Sequence, residues 1–168
     1  SLLVVPLPGH SPGHIGLWDA EHELLLASDA ILGDGQWADG RLAAIPSYLD
    51  VAQYRSSIER VRQLEPRVLA TAHFPLFREE EEEVEGFCRL SEAFVDALDL
   101  AVEGALSDRE PRALRQLTTA AVSEVAPGVA PSYTAALSVR AHLRGLRARG
   151  VAMSLGSTEA DGERWMRT

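Results

Sequence analysis

Two histidines in a Pro/Gly-framed stretch, Pro8-Gly9-His10-Ser11-Pro12-Gly13-His14, are the residues whose types and spacing most directly allow chemistry in this chain. Imidazole nitrogen and carboxylate oxygen are the usual ligands of zinc, iron and manganese, and a catalytic site keeps one position open for water. Proline restricts the backbone and glycine admits tight turns, so a loop of this kind holds an imidazole in a set direction. Asp29 and His73 each fall just past an apolar run, as His10 does. The three would stand at successive strand ends along one sheet edge, a candidate metal site. A single loop histidine is more often a surface or capping group, so the recurrence at strand ends is what points to a metal. No catalytic nucleophile or general base is assigned.

Those residues need a scaffold that gathers strand ends. Residues 2 to 7, Leu-Leu-Val-Val-Pro-Leu, read as a buried strand with Pro6 at its exit. His14 to Trp18 and His22 to Ala27 flank Asp19-Ala20-Glu21 as a hairpin. Residues 31 to 46, with Gly33, Gly35 and Gly40, read as an irregular loop of a length that often carries function, and Trp37 within it either lines a pocket or tucks against the core. From Asp50 the period changes. Val51, Tyr54, Ile58, Val61 and Leu64 recur at helical spacing, Asp50 caps the start and Pro66 stops the helix. Arg67 to Thr71 is a short strand. Strand, loop, helix, strand is an α/β order, in which ligands collect where strands end.

Beyond residue 78 the chain turns helical. Six glutamates fill seven positions from Glu79 to Glu85, read as a solvated helix start favoured by negative charge near its N-terminus rather than as a metal-binding patch. The helix runs through Phe87, Leu90, Phe94, Leu98 and Val102, with Cys88 as a packed thiol. Pro111 to Val122 is a second helix, and Tyr133 to Arg149, capped by Ser132 and ended by Gly150, a third. Val151 to Leu155 and Glu163 to Arg167 make a hairpin around Thr158 to Gly162. Helix, helix and hairpin outline a winged helix. Arg140, Arg144 and Arg147 share one face, and with Arg149 they form a stripe with no acid between Val139 and Gly150. Such a stripe either meets nucleic acid as a recognition helix does or lies solvated against an acidic protein.

Composition narrows the classes. A net charge of -9 over 168 residues excludes a protein that coats nucleic acid by bulk attraction. No uninterrupted apolar run reaches the ~18 residues of a membrane span, so no membrane partner is expected. With Cys88 alone, neither an intrachain disulfide nor a cysteine cage for zinc can form, which fits a cytoplasmic protein.

Pro8-Gly9-His10-Ser11-Pro12-Gly13-His14-Ile15, then Ala27-Ser28-Asp29, then a helix and Thr71-Ala72-His73, resembles the second half of a metallo-β-lactamase-fold hydrolase of the glyoxalase II-like branch. The resemblance implies that His10 ligates one metal, that Asp29 bridges two and that His73 ligates the second. It gives His14 a supporting role, orienting the loop by hydrogen bonding. The implied cofactor is a divalent metal, zinc first, with one or two ions in a complete site and partial occupancy or none in this chain. The implied fold is α/β: residues 1–78 as the C-terminal half of an αββα metallo-β-lactamase sandwich, followed over 79–168 by a mostly helical winged-helix-like region. Two departures stand out. The family's HxHxDH signature is absent from these residues, and His22 and His142 sit in no such cluster. Ala72-His73-Phe74 replaces the usual Gly-His-Gly, and Phe74 is expected to narrow or reshape the pocket.

The functional expectation is a metal-dependent hydrolase acting on an ester, thioester, lactone or phosphodiester of a small molecule, with the chain inactive alone because its first half is missing. The alternative is a nucleic-acid-binding or RNA-processing protein acting through the winged-helix region. Loss of a partner layer would leave apolar surface and an open strand edge, favouring self-association.

Overall fold

A computed structural model describes residues 1–79, 82–158 and 162–168. The apolar N-terminal runs form β1 (Leu2–Pro6), β2 (Ile15–Asp19) and β3 (Leu24–Ser28), an antiparallel meander in which Val4 pairs with Leu17 and Leu17 with Leu26. Asp50 caps α1 (Val51–Leu64) by accepting the Gln53 N–H, and Glu65 ends it in the left-handed conformation just before Pro66. The chain then returns as β6 (Val68–Thr71), parallel to β3, and β7 (Phe77–Arg78). The five-stranded order is β1-β2-β3-β6-β7.

Residues 31–46 are more ordered than expected. They contain a second hairpin, β4 (Gln36–Ala38) and β5 (Arg41–Ala44), turning on Asp39 and Gly40, both at positive φ. Asp-Gly at such a turn is a recognised hairpin signal. Trp37 is exposed, its indole N–H donating to Asp34 Oδ1 at 2.9 Å, so it is not tucked into the core.

One sheet face is covered by α1, whose Tyr54, Ile58 and Val61 pack in the same buried cluster as Val5, Leu7, Leu25 and Leu69. Among the described residues, the other face carries exposed and half-buried apolar side chains. Val4, Leu17 and Leu26 lie side by side across three strands, with Val4 62% and Leu26 38% exposed. The expectation of a buried first strand is therefore corrected: β1 is an edge strand of which only Val5 is buried. Apolar surface does stand exposed, as anticipated.

The helical region comprises α2 (Glu83–Ala105), α3 (Leu114–Val125) and α4 (Tyr133–Ala148), the last capped by Ser132. The helix expected from Pro111 begins at Leu114 instead, because Arg112–Ala113 are taken up as β8, which pairs with β10 (Gly162–Arg167); β10 also pairs with β9 (Ala152–Thr158). Residues 159–161, within the stretch expected to turn the hairpin, lie outside the described residues, as do Glu80 and Glu81 of the glutamate run. Glu83 and Glu85 occupy the first turn of α2. Glu85 also joins Glu92 in clasping Arg62 of α1, with contacts of 2.8 and 2.9 Å, so part of the run pins two helices together. Cys88 is fully buried on α2, and burial pushes its thiol up to about 12. The buried cluster continues from the sheet through α2, α3 and α4 to Trp165.

Candidate metal site

β1 runs antiparallel to β2 and β2 to β3, while β3 and β6 are parallel, so β1, β3 and β6 all end at one sheet edge. His10, Asp29 and His73 follow those three ends. Sequence spacing anticipated this placement, and the backbone sharpens it. Ser28 and His73 both take positive φ, 50° and 70°, and a register shift between Leu26 and Ser28 breaks the β3–β6 ladder beside them. Non-glycine residues hold such conformations where surrounding structure enforces them, often at functional sites. Here the Ala72 N–H donates to Ser28 O at 3.0 Å, locking the two strand ends together.

Asp29 and His73 meet. Asp29 Oδ1 lies 3.3 Å from His73 Nε2. That oxygen is buried and no hydrogen bond satisfies it. Gln36 on β4 supplies the reason, because its side-chain nitrogen is 3.2 Å from the same Nε2 and an amide nitrogen only donates. His73 Nε2 then presents a lone pair, and two acceptors face each other. Two ligands each about 2.1 Å from one tetrahedral zinc stand about 3.4 Å apart, close to the observed gap. The donor set and its orphaned oxygen therefore fit a divalent cation.

His10 does not join them directly. Its Nδ1 is 2.7 Å from Ser47 O, and a carbonyl only accepts, so the proton sits on Nδ1 and Nε2 keeps its lone pair. His14 Nε2 donates to Ala27 O at 3.2 Å, tying the loop to the end of β3 next to Asp29. The His10 and His14 rings meet edge to face at 5.5 Å. Gly9, at φ 131°, sits against α1 so closely that a Cβ there would fall 2.4 Å from the Tyr54 backbone. Ser57 Oγ donates to Pro8 O at 2.6 Å, completing the clamp.

Among the described residues, the group that brings three potential ligand atoms within 4.8 Å of one another is Asp19, Glu21 and His22, not the predicted trio. These lie on the β2–β3 turn. Hydrogen bonding within the turn accounts for them: His22 Nδ1 donates to Asp19 Oδ2 at 2.8 Å and the Glu21 N–H to Asp19 Oδ1 at 3.2 Å. The His22 bond holds the Asp19 carboxyl below its usual range.

Phe74, the departure next to His73, is held by aromatic contacts. Its ring packs edge-on to Phe87 of α2 at 4.8 Å, and Phe77 stacks on Phe87 at 4.3 Å, so the aromatic side chain anchors the turn after His73. The arginine stripe is likewise divided. Arg140 is 2.9 Å from Glu163 and Arg149 is 2.7 Å from Asp99, while Arg144 and Arg147 are exposed. The acids come from β10 and α2, beyond the reach of a count along the helix.

Sequence reading also missed Gln36 and Ser47, while Tyr48, which could line a pocket or pack in the core, takes the core place. The Asp39-Gly40 turn could have placed Gln36 on a strand; nothing local marks Ser47. Tyr48 is buried, stacks on Tyr54 at 4.5 Å, and its hydroxyl is 2.7 Å from His142 Nε2. His142 is 0% exposed, with Nδ1 2.8 Å from Asp99 Oδ1. A carboxylate accepts, so Nδ1 carries the proton and Nε2 accepts from Tyr48. Burial pushes the Tyr48 phenol well above its usual value, keeping it a donor.

Residues 1–73 match the family model of the metallo-beta-lactamase superfamily. No curated protein sequence matches the chain. Among solved structures, a metallo-beta-lactamase family protein from Thermus thermophilus is 22% identical with a TM-score of 0.65, over 99% of this chain and 49% of that one. A beta-lactamase domain protein from Burkholderia ambifaria is 22% identical with a TM-score of 0.67, over 99% of this chain and 47% of that one. The chain spans about half the length of both. No described helix is long and apolar enough to cross a membrane. With the family match over its first 73 residues and shared architecture over nearly its whole length, the chain carries the fold of the metallo-beta-lactamase superfamily.

Proposed function

We propose that this chain contributes His10, Asp29 and His73 to the divalent-metal site of a metallo-β-lactamase-fold hydrolase of the glyoxalase II-like branch. The observation that carries the reading is the Asp29–His73 pair: 3.3 Å apart at the ends of parallel strands, with the carboxylate oxygen buried and unbonded. When bound, a divalent ion supplies electrophilic polarisation of a substrate oxygen and lowers the pKa of water. The residues present would hold it: Asp29 through Oδ1, His73 through Nε2 and, on the neighbouring loop, His10 through Nε2, with His14 and Ser47 fixing that loop. Zinc suits this nitrogen and oxygen donor set. Substrates with a carbonyl or phosphorus centre, namely esters, thioesters, lactones and phosphodiesters, fit that chemistry.

A complete catalytic zinc site takes three protein ligands and a water, and a site for two ions takes more than these three residues. We read residues 1–78 as the metal-bearing domain and 79–168 as a winged-helix-like domain, and place the protein in the cytoplasm, where a lone thiol stays reduced. The partly exposed apolar face around Val4, Leu17 and Leu26 supports self-association. Titration of the purified chain with Co2+ or Zn2+ tests the ligand assignment. We expect binding of one ion that weakens at least about tenfold in Asp29→Asn and His73→Ala and is unchanged in His22→Ala. Loss in His22→Ala with retention in Asp29→Asn would move the site to the β2–β3 turn and sink the proposal.

A further inference from the structure

We propose that Ser138, together with His142 one turn later on α4, is a positioning residue for His10, so that the helical region sets the geometry of a ligand held by the sheet. The inference rests on His10 being a metal ligand, as proposed above.

The link is a single peptide unit. Ser47 C=O and Tyr48 N–H belong to one planar trans peptide, so the two groups point in opposite directions. On one side the Tyr48 N–H donates to Ser138 Oγ at 3.1 Å. On the other, Ser47 O accepts the His10 Nδ1–H at 2.7 Å. Fixing the N–H therefore aims the carbonyl. Ser138 Oγ also donates to Pro46 O at 2.8 Å, so one hydroxyl grips the chain on both sides of Ser47.

The side chain of Tyr48 is held by the same helix. Its hydroxyl donates to His142 Nε2 at 2.7 Å, and His142 is oriented by Asp99, itself 2.7 Å from Arg149 Nη2. The Tyr48 ring lies on Tyr54, whose hydroxyl accepts the Leu32 N–H at 2.8 Å. Leu49 N–H donates to Gly9 O at 2.8 Å, so the segment that Ser138 fixes holds the His10 loop by backbone as well as by ring. Ser138 and His142 are both 0% exposed. Polar groups this deeply buried make their partners obligatory, which suits a device for holding one orientation.

What the network delivers is a tautomer. With Ser47 O aimed at Nδ1, the His10 proton stays there and Nε2 is left free to bind; outer partners of this kind are commonly worth about 10- to 100-fold in metal affinity. Without Ser138, the Tyr48 N–H and Pro46 O lose their shared partner, and the 47–48 peptide is aimed only by the Tyr48 side chain and the Leu49–Gly9 bond, so Nδ1 loses part of what fixes its acceptor.

The test uses the 168-residue chain, with nitrogen-15 NMR of the imidazoles in the metal-free state and Co2+ affinity as paired readouts. Wild type is expected to show His10 protonated at Nδ1. Ser138→Ala should show a mixture of tautomers and bind Co2+ about tenfold more weakly, while Ser56→Ala, on the exposed face of α1, changes neither. An unchanged tautomer and affinity in folded Ser138→Ala overturns the inference. Should Ser138→Ala fail to fold by circular dichroism, Tyr48→Phe keeps the ring and removes the bond to His142, and the same two readouts decide. His10→Ala separates the levels: wild-type affinity there defeats the ligand assignment itself, whereas loss there with no effect of Ser138→Ala defeats only the positioning role.

Discussion

His73 Nε2 stands 3.3 Å from Asp29 Oδ1, yet no hydrogen bond joins them, because the Gln36 amide nitrogen already points at the same ring nitrogen. A buried acceptor facing another acceptor destabilises the metal-free fold and favours a cation between them. The same contact thus opposes folding without metal and supports it with metal.

Asp29→Asn should separate those two effects. The new amide can donate to His73 Nε2, removing the acceptor pair, and an unmet buried acceptor costs about 1–3 kcal/mol. In chelator, the melting temperature of Asp29→Asn is expected to rise by about 2–4 °C for each kcal/mol recovered. With zinc added, wild type should gain stability by ligand linkage and the variant should not. Differential scanning fluorimetry with and without EDTA reads both. An apo melting temperature equal to or below wild type counts against the acceptor pair.

Gly9→Ala tests how the His10 loop is seated. The backbone at φ 131° disfavours any side chain, and the added Cβ would fall 2.4 Å from backbone atoms of Tyr54, which belong to α1 and have no slack. We expect a loss of about 3 kcal/mol or more by urea denaturation, together with weaker metal binding. Gly13→Ala is the control, since a Cβ there meets nothing within 4 Å. Equal stability of the two variants would show that the close approach to α1 is not what seats the loop.

The strand-end positions of His10, Asp29 and His73 were legible because each follows an apolar run, and parallel strands necessarily end together. The caps of α1 and α4 were legible because Asp50 and Ser132 act within one turn. What escaped was set by contacts between distant segments. Phe74 chose Phe87, Arg140 chose Glu163, and Tyr48 found His142 across 94 residues, none of which periodicity encodes. The β4–β5 hairpin is different in kind: Asp39-Gly40 announced it, but strands of three and four residues leave too little alternation to count.

The buried histidine also gives the fold a pH dependence whose sign is fixed. Burial is the largest influence on His142 and lowers its pKa, Asp99 raises it through a hydrogen bond and its charge, Arg55 and Arg149 lower it, and the balance lies below 6.5. For Asp99 burial acts upward, but the bonds and charges of His142 and Arg149 prevail and hold the carboxyl below 3.8. Below pH 6.5 the unfolded chain therefore binds a proton at His142 that the folded chain refuses, so stability is present above that pH and drains away as pH falls toward the folded pKa. One proton limits the slope to about 1.4 kcal/mol per pH unit. Urea denaturation of wild type and His142→Gln between about pH 7.5 and pH 5, a range spanning the ordinary histidine value, checks this. The variant should be less stable at the upper end, about pH 7.5, and show a shallower decline below the ordinary histidine value of about 6.5. Parallel declines of the two proteins would place the pH dependence in groups other than His142.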